Sequence, residues 1–140
     1  MKTKTTVLKG SNPKRSWVLI DLSGKTLGRV ATEIAAILMG KNKPTFSYHR
    51  DDGDYVVAIN SDAIVTTGKK MKQKIYYHHT GYAGHLKELS LKALMAKDSR
   101  RVIELAVRGM LPKNHLRSKR LTRLKIFAGA EHKYSEKIGK

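Results

Sequence analysis

Residues 108–125, RGMLPKNHLRSKRLTRLK, carry Arg108, Lys113, Arg117, Lys119, Arg120, Arg123 and Lys125, and no carboxylate lies between Glu104 and Glu131 to balance them. So dense a cationic run repels itself and calls for a polyanion, of which nucleic acid is the most available in a cell. It does not read as a disordered tail. Met110, Leu111, Leu116, Leu121 and Leu124 are interleaved with the charges, so one side can pack on a core while the other faces phosphates. Pro112 and Asn114 punctuate the run, ending one helix and offering a cap for the next. On this reading Lys113, Lys119, Lys125, Arg117, Arg120 and Arg123 contact RNA, with Arg108 packed at a helix end.

The same imbalance holds for the chain: 29 Lys and Arg against 11 Asp and Glu give a formal net charge of +18 over 140 residues. The acids gather around Asp51, Asp52 and Asp54, so most faces are expected to be electropositive. Hydrophobic residues at 40% still suffice for one core, which excludes a tail-like polycation. With no cysteine, disulfides and thiolate metal sites are excluded and the reducing cytoplasm is the expectation. No apolar run reaches the ~20 residues of a membrane span, and residues 1–17 lack the apolar core of a signal peptide.

Residues 1–15 hold Lys2, Lys4, Lys9, Lys14 and Arg15 without a hydrophobic period and read as a basic N-terminal arm, with a single domain over 16–140. Residues 17–20 suit a buried strand. Leu27, Val30, Ala31, Ile34, Ala35 and Leu38 then repeat at helical spacing up to the stop at Gly40 and Pro44. Further strands are expected at 55–59, 64–67, 74–79 and 124–128, and helices at 89–95 and 102–110. Strands mixed with helices in this order predict an α/β layer structure with helices on both sheet faces.

Three stretches invite chemistry. Ser23, Gly24, Lys25 and Thr26 form half a phosphate loop, but the glycine required five residues earlier is Leu19. A turn and helix cap is therefore favoured over an RNA phosphate contact by Lys25, and both over nucleotide hydrolysis. Asp51, Asp52 and Asp54 around Gly53 fail as a calcium loop, because the first and last ligand positions are Tyr48 and Ile59. A polar turn, with His49 and Arg50 as partners, is the better reading. Tyr76, Tyr77, His78, His79, Tyr82 and His85 follow Lys69, Lys70, Lys72 and Lys74, and Gly81 and Gly84 space them. Rings such as Tyr82 and His85 can stack on unpaired bases while the lysines hold phosphates. Tyr76 and His78 serve equally well as the inner face of a half-buried strand. Neighbouring histidines on a strand point apart, so zinc is disfavoured, and no nucleophile motif is present.

WVLID at 17–21, LGRVAT at 27–32, GDYVVAIN at 53–60, TGKK at 67–70, RGMLPKN at 108–114 and FAGAEH at 127–132 together resemble the bacterial-type large-subunit ribosomal protein L-thirteen family. The motifs fall in family order. Arg117 stands where the family usually has Gly, and Ala83 where it has Pro. The resemblance implies a three-layer domain with a mostly parallel four-stranded sheet, binding to large-subunit ribosomal RNA beside neighbouring ribosomal proteins, and a part in early subunit assembly. It implies no catalysis, no cofactor or metal, no membrane and no obligate homo-oligomer. The competing readings are a nucleotide-using enzyme built on Lys25 and a DNA-compacting protein.

Overall fold

The computed structural model describes residues 14–138. Strand β1 (Trp17–Asp21) runs through a turn into α1 (Leu27–Met39), and β2 (Tyr55–Ile59) returns parallel to β1. The stripe read from the sequence is the buried side of α1: Leu27, Val30, Ala31, Ile34, Ala35 and Leu38 are all internal. Gly40 then closes the helix in the left-handed region at φ 79°, donating its backbone N–H to Ala36 and Ile37 carbonyls.

After β2 the chain makes α2 (Lys70–Gln73), β3 (Ile75–His79), β4 (Leu86–Ser90), α3 (Leu91–Lys97), α4 (Ser99–Met110), α5 (Leu116–Thr122) and β5 (Leu124–Ile126). Strand β5 pairs parallel to the far side of β2, giving the order β1-β2-β5. Both crossovers step the same way across the sheet, so right-handed connections bring their helices to one face. Accordingly Ile20, Val56, Ala58 and Leu124 share a single core with residues of α1 and α4.

This corrects four expectations. Among the described residues the parallel sheet has three strands rather than four, and β3 and β4 form a separate antiparallel hairpin. Residues 64–67 make no strand, because Val65 bonds the turn before α1 instead, donating to Lys25 O and accepting from Leu27 N, both at 2.9 Å. Strand β4 occupies the start of the helix expected at 89–95, since Ser90 caps α3 by accepting from Ala93 N. Nor do helices cover both sheet faces. Val57, 0% exposed, points away from the helices, and on that side Trp17 stacks on Tyr55 at 4.3 Å and on Tyr134 at 5.0 Å. Among the described residues the segment after β5 holds only a 3-10 turn, Ser135–Lys137, so rings rather than a helix close this layer.

Candidate RNA-binding surface

The basic run occupies the end of α4, a turn, α5 and β5. Leu111 is buried and anchors the exit from α4, while Pro112 to His115 form an exposed turn. Helix α5 starts after His115 with no side-chain cap, and Asn114 contributes its carbonyl to Arg117 N rather than the cap expected of its side chain. The inward side of α5 holds Leu116 and Arg120, and the same helical spacing leads on to Arg123.

Arg120 and Arg123 are 1% and 3% exposed, which corrects their assignment to an RNA-facing surface. Their charge is spent inside. Arg123 grips Asp51 with two hydrogen bonds, Nη1 to Oδ2 and Nη2 to Oδ1, both 2.6 Å, and Nη2 also donates to Leu38 O at the end of α1. Arg120 donates from Nη2 to Arg50 O at 3.1 Å and lies 3.4 Å from Asp51 Oδ1. Arg15 reaches the same carboxylate at 3.5 Å and donates to Asp51 O. Burial acts to raise the Asp51 carboxyl, but the Arg123 hydrogen bonds and the charges of Arg123, Arg15 and Arg120 outweigh it and hold it below its usual value.

The remaining acids of this loop are used in the same way. Asp52 pairs with Arg50 at 3.1 Å, and Asp54 takes the Lys43 ammonium at 2.5 Å and accepts from Ser16 N. The loop lies so close to α1 that a Cβ on Gly53 would sit 1.8 Å from Leu38 O. It is a polar turn, as expected, and the counter-charge of the basic element as well.

With these charges matched internally, the outward face keeps Arg108, Lys113 and Lys119 exposed, and Arg117 and Lys125 half-buried. Lys14 is exposed, and its carbonyl accepts from Lys43 Nζ, so both Lys14 and Arg15 are bonded to the domain. Lys2, Lys4 and Lys9 lie outside the described residues. Lys25 is exposed beside α1, but the half phosphate loop is spoken for: Ser23 N donates to Asp21 Oδ1, Gly24 N to Ala63 O, Lys25 N to Leu22 O and Leu27 N to Val65 O. Those backbone donors are not available to wrap a nucleotide's phosphates.

Three of the motifs converge on one cleft of about 250 Å³. Thr26, Leu27 and Gly28 from the start of α1 meet Thr67, Lys70 and Lys74 around α2, and Gly109 and Met110 at the end of α4. A hydrogen bond from Thr32 Oγ1 to Met110 Sδ ties the two long helices at its side. Lys74, read in the sequence with Lys69, Lys70 and Lys72, stands one helical turn beyond Lys70 and joins it in the cleft lining. Lys72 on the same short helix and Lys69 at its N-terminal cap are exposed.

Beyond it the hairpin tip turns on Gly81 and Gly84, at φ 94° and 73°. Tyr82 is 73% exposed and meets His85 edge to face at 6.1 Å. Of the two alternate rings, Tyr76 is half-buried against the core and His78 is exposed. Burial raises the Tyr76 hydroxyl pKa. Among the described residues no group of three potential ligands is placed to hold a metal ion.

The family profile described as Ribosomal protein L13 matches residues 15–133. The large ribosomal subunit protein uL13 of Clostridioides difficile is 54% identical over 132 residues, covering 94% of this chain and 92% of that protein. Its counterpart in Thioalkalivibrio sulfidiphilus is 51% identical, covering 94% and 93%. That of Thermotoga petrophila is 52% identical over 129 residues, covering 92% and 87%. The β1-α1-β2 unit, the internally paired DDGD loop and the outward cations of residues 108–125 all fall inside the matched region, and the chain belongs to the ribosomal protein L13 family.

Proposed function

We propose that the chain is a structural constituent of the large subunit of the cytoplasmic ribosome, not an enzyme, that binds and stabilises folded large-subunit ribosomal RNA and takes part in early subunit assembly. The observation that carries this reading is the division of charge: Asp51, Asp52 and Asp54 are consumed by Arg123, Arg120, Arg50 and Lys43 inside the fold. What faces out is a surplus of fixed cations. Fixed cations neutralise phosphates with little ordering cost and hold RNA helices together without reading many bases. The contacts fall to Lys113, Arg117, Lys119 and Lys125, to Lys69, Lys70 and Lys72 with Tyr82 and His85, and to Lys25 and Lys14. The partners are that RNA and neighbouring large-subunit proteins, and no obligate homo-oligomer is needed.

Titration of the folded protein against large-subunit RNA fragments tests it. Affinity should fall steeply with salt, and replacing Lys113, Arg117 and Lys119 by Ala should flatten the log-log slope by about 2.1 to 2.7, at ~0.7 to 0.9 per contact. An unchanged slope would remove these residues from the interface.

A further inference from the structure

A groove of about 570 Å³ runs between the β3–β4 hairpin and helices α3 and α4. Its floor is apolar, formed by Leu89, Leu94 and Leu105. At its rim Lys87, Lys97 and Arg108 are exposed and form no ion pair among the described residues. Arg101 lies beside them, engaged with Glu104 at 2.8 Å, and the lining contains one carboxylate, Glu88. Tyr76 stands in the wall, and its hydroxyl is shut off from solvent with no partner in the protein. Such a hydroxyl is costly to leave unpaired.

An apolar floor, an aromatic wall and a cationic rim are the chemistry of a base flanked by its phosphates, and the volume lies within the roughly 300 to 1,000 Å³ of small-ligand sites. Four cations to one carboxylate on the lining favour a polyanion over a protein segment. A duplex cannot deliver a base here, because its bases are stacked and paired. We infer that the groove between the hairpin and α3/α4 receives one unpaired nucleotide of the bound RNA, its base against Tyr76 and the leucines and its flanking phosphates on Lys97 and Arg108. The inference rests on the RNA-binding reading above and adds to it a site for single-stranded RNA.

Methyl NMR of the full chain, titrated with a mixed-sequence single-stranded RNA octamer and separately with a blunt RNA duplex, tests it without any mutation. The octamer should shift the Leu89, Leu94 and Leu105 methyls, and the duplex should leave them in place. The Lys97→Ala, Arg108→Ala double variant should lower the octamer's log-log salt slope by about 1.4, two contacts at ~0.7 each. Equal shifts with the duplex, or shifts confined to α5 and its flanking turn, would overturn the groove and leave RNA binding standing. No shift anywhere with either RNA would overturn both. Unmoved groove methyls, combined with loss of the double variant from assembled subunits, would assign the groove to a neighbouring protein instead.

Discussion

Arg123→Ala should be among the most damaging single changes in this basic segment, and for a reason unrelated to RNA. The guanidinium is buried, makes two 2.6 Å bonds to Asp51 and ties off Leu38 O, so its loss strands a partly buried carboxylate and a helix-end carbonyl together. Removing one partner of a buried pair costs about 3 to 5 kcal/mol. Two features pull this case toward the lower figure: the Asp51 side chain keeps 16% exposure and retains Arg15 and Arg120, and Arg123 Nε is itself buried without a partner. A loss of about 3 kcal/mol out of the ~5 to 15 kcal/mol typical of a domain, at a urea slope of ~2 kcal/mol per M, moves the unfolding midpoint down by about 1.5 M. Arg117→Ala, two turns away on the outward side, should cost less than ~0.5 kcal/mol and so move the midpoint by less than ~0.25 M. Arg123→Lys keeps the charge but not the two-pronged grip, and should recover only part of the loss. The assay is equilibrium urea unfolding followed by circular dichroism. Equal midpoints for Arg123→Ala and Arg117→Ala would refute the hub; a normal midpoint for Arg123→Ala with lost RNA affinity would make Arg123 an RNA contact after all.

The Asp51 carboxyl is held below its ordinary value of 3.8, so its contribution is fully present above that pH and is lost as pH falls through the depressed folded value. Acid unfolding should therefore steepen below pH ~4, and Asp51→Asn, though less stable at neutral pH, should show the shallower acid limb. Gly53→Ala drives a Cβ into Leu38 O and should cost several kcal/mol or prevent folding, whereas Gly109→Ala meets open space in α4 and should stabilise the free protein by roughly 0.5 to 1 kcal/mol, both read by thermal melts. If the cleft beside Gly109 takes RNA backbone, the same Gly109→Ala protein should bind large-subunit RNA more weakly despite its higher melting point. Ile34→Ala, at a fully buried position on α1, should lose about 2 to 5 kcal/mol; an unchanged urea midpoint would mean that the stripe faces solvent.

The strands and helices that announce themselves in the sequence are those whose periodicity is set by burial against a sheet. Leu27, Val30, Ile34 and Leu38 could only be one side of α1, and 55–59 is β-branched on both faces because β2 is the central strand. Strand β4 was hidden because LKELS spaces its leucines three apart, as a helix would, and runs into a leucine-rich helix, and the hairpin is largely exposed, so no burial pattern marks it. The layer arrangement was hidden for another reason: which face a crossover covers depends on strand order, which periodicity does not carry. Arg120 and Arg123 were misplaced because charge was read as exposure. The spacing of Leu116, Arg120 and Arg123 already put both arginines on the inward stripe, and the acid-rich DDGD was the available counter-ion.

The Asp51 cluster joins parts of the chain that are far apart in sequence, with separations of 36 residues to Arg15, 69 to Arg120 and 72 to Arg123. Synthesis proceeds from the N-terminus, so β1, α1, β2 and the acidic loop emerge well before their arginines do. Until residue 123 is clear, the central strand β2 has an unpaired edge, and Asp51 has Arg15 as its only ion-pair partner of the finished cluster. Long-range parallel pairing of this kind closes late and slowly. The arginines that look in the sequence like the RNA-binding element thus complete the acidic cluster last in chain order, and the outward cations of α5 are held in place by that closure.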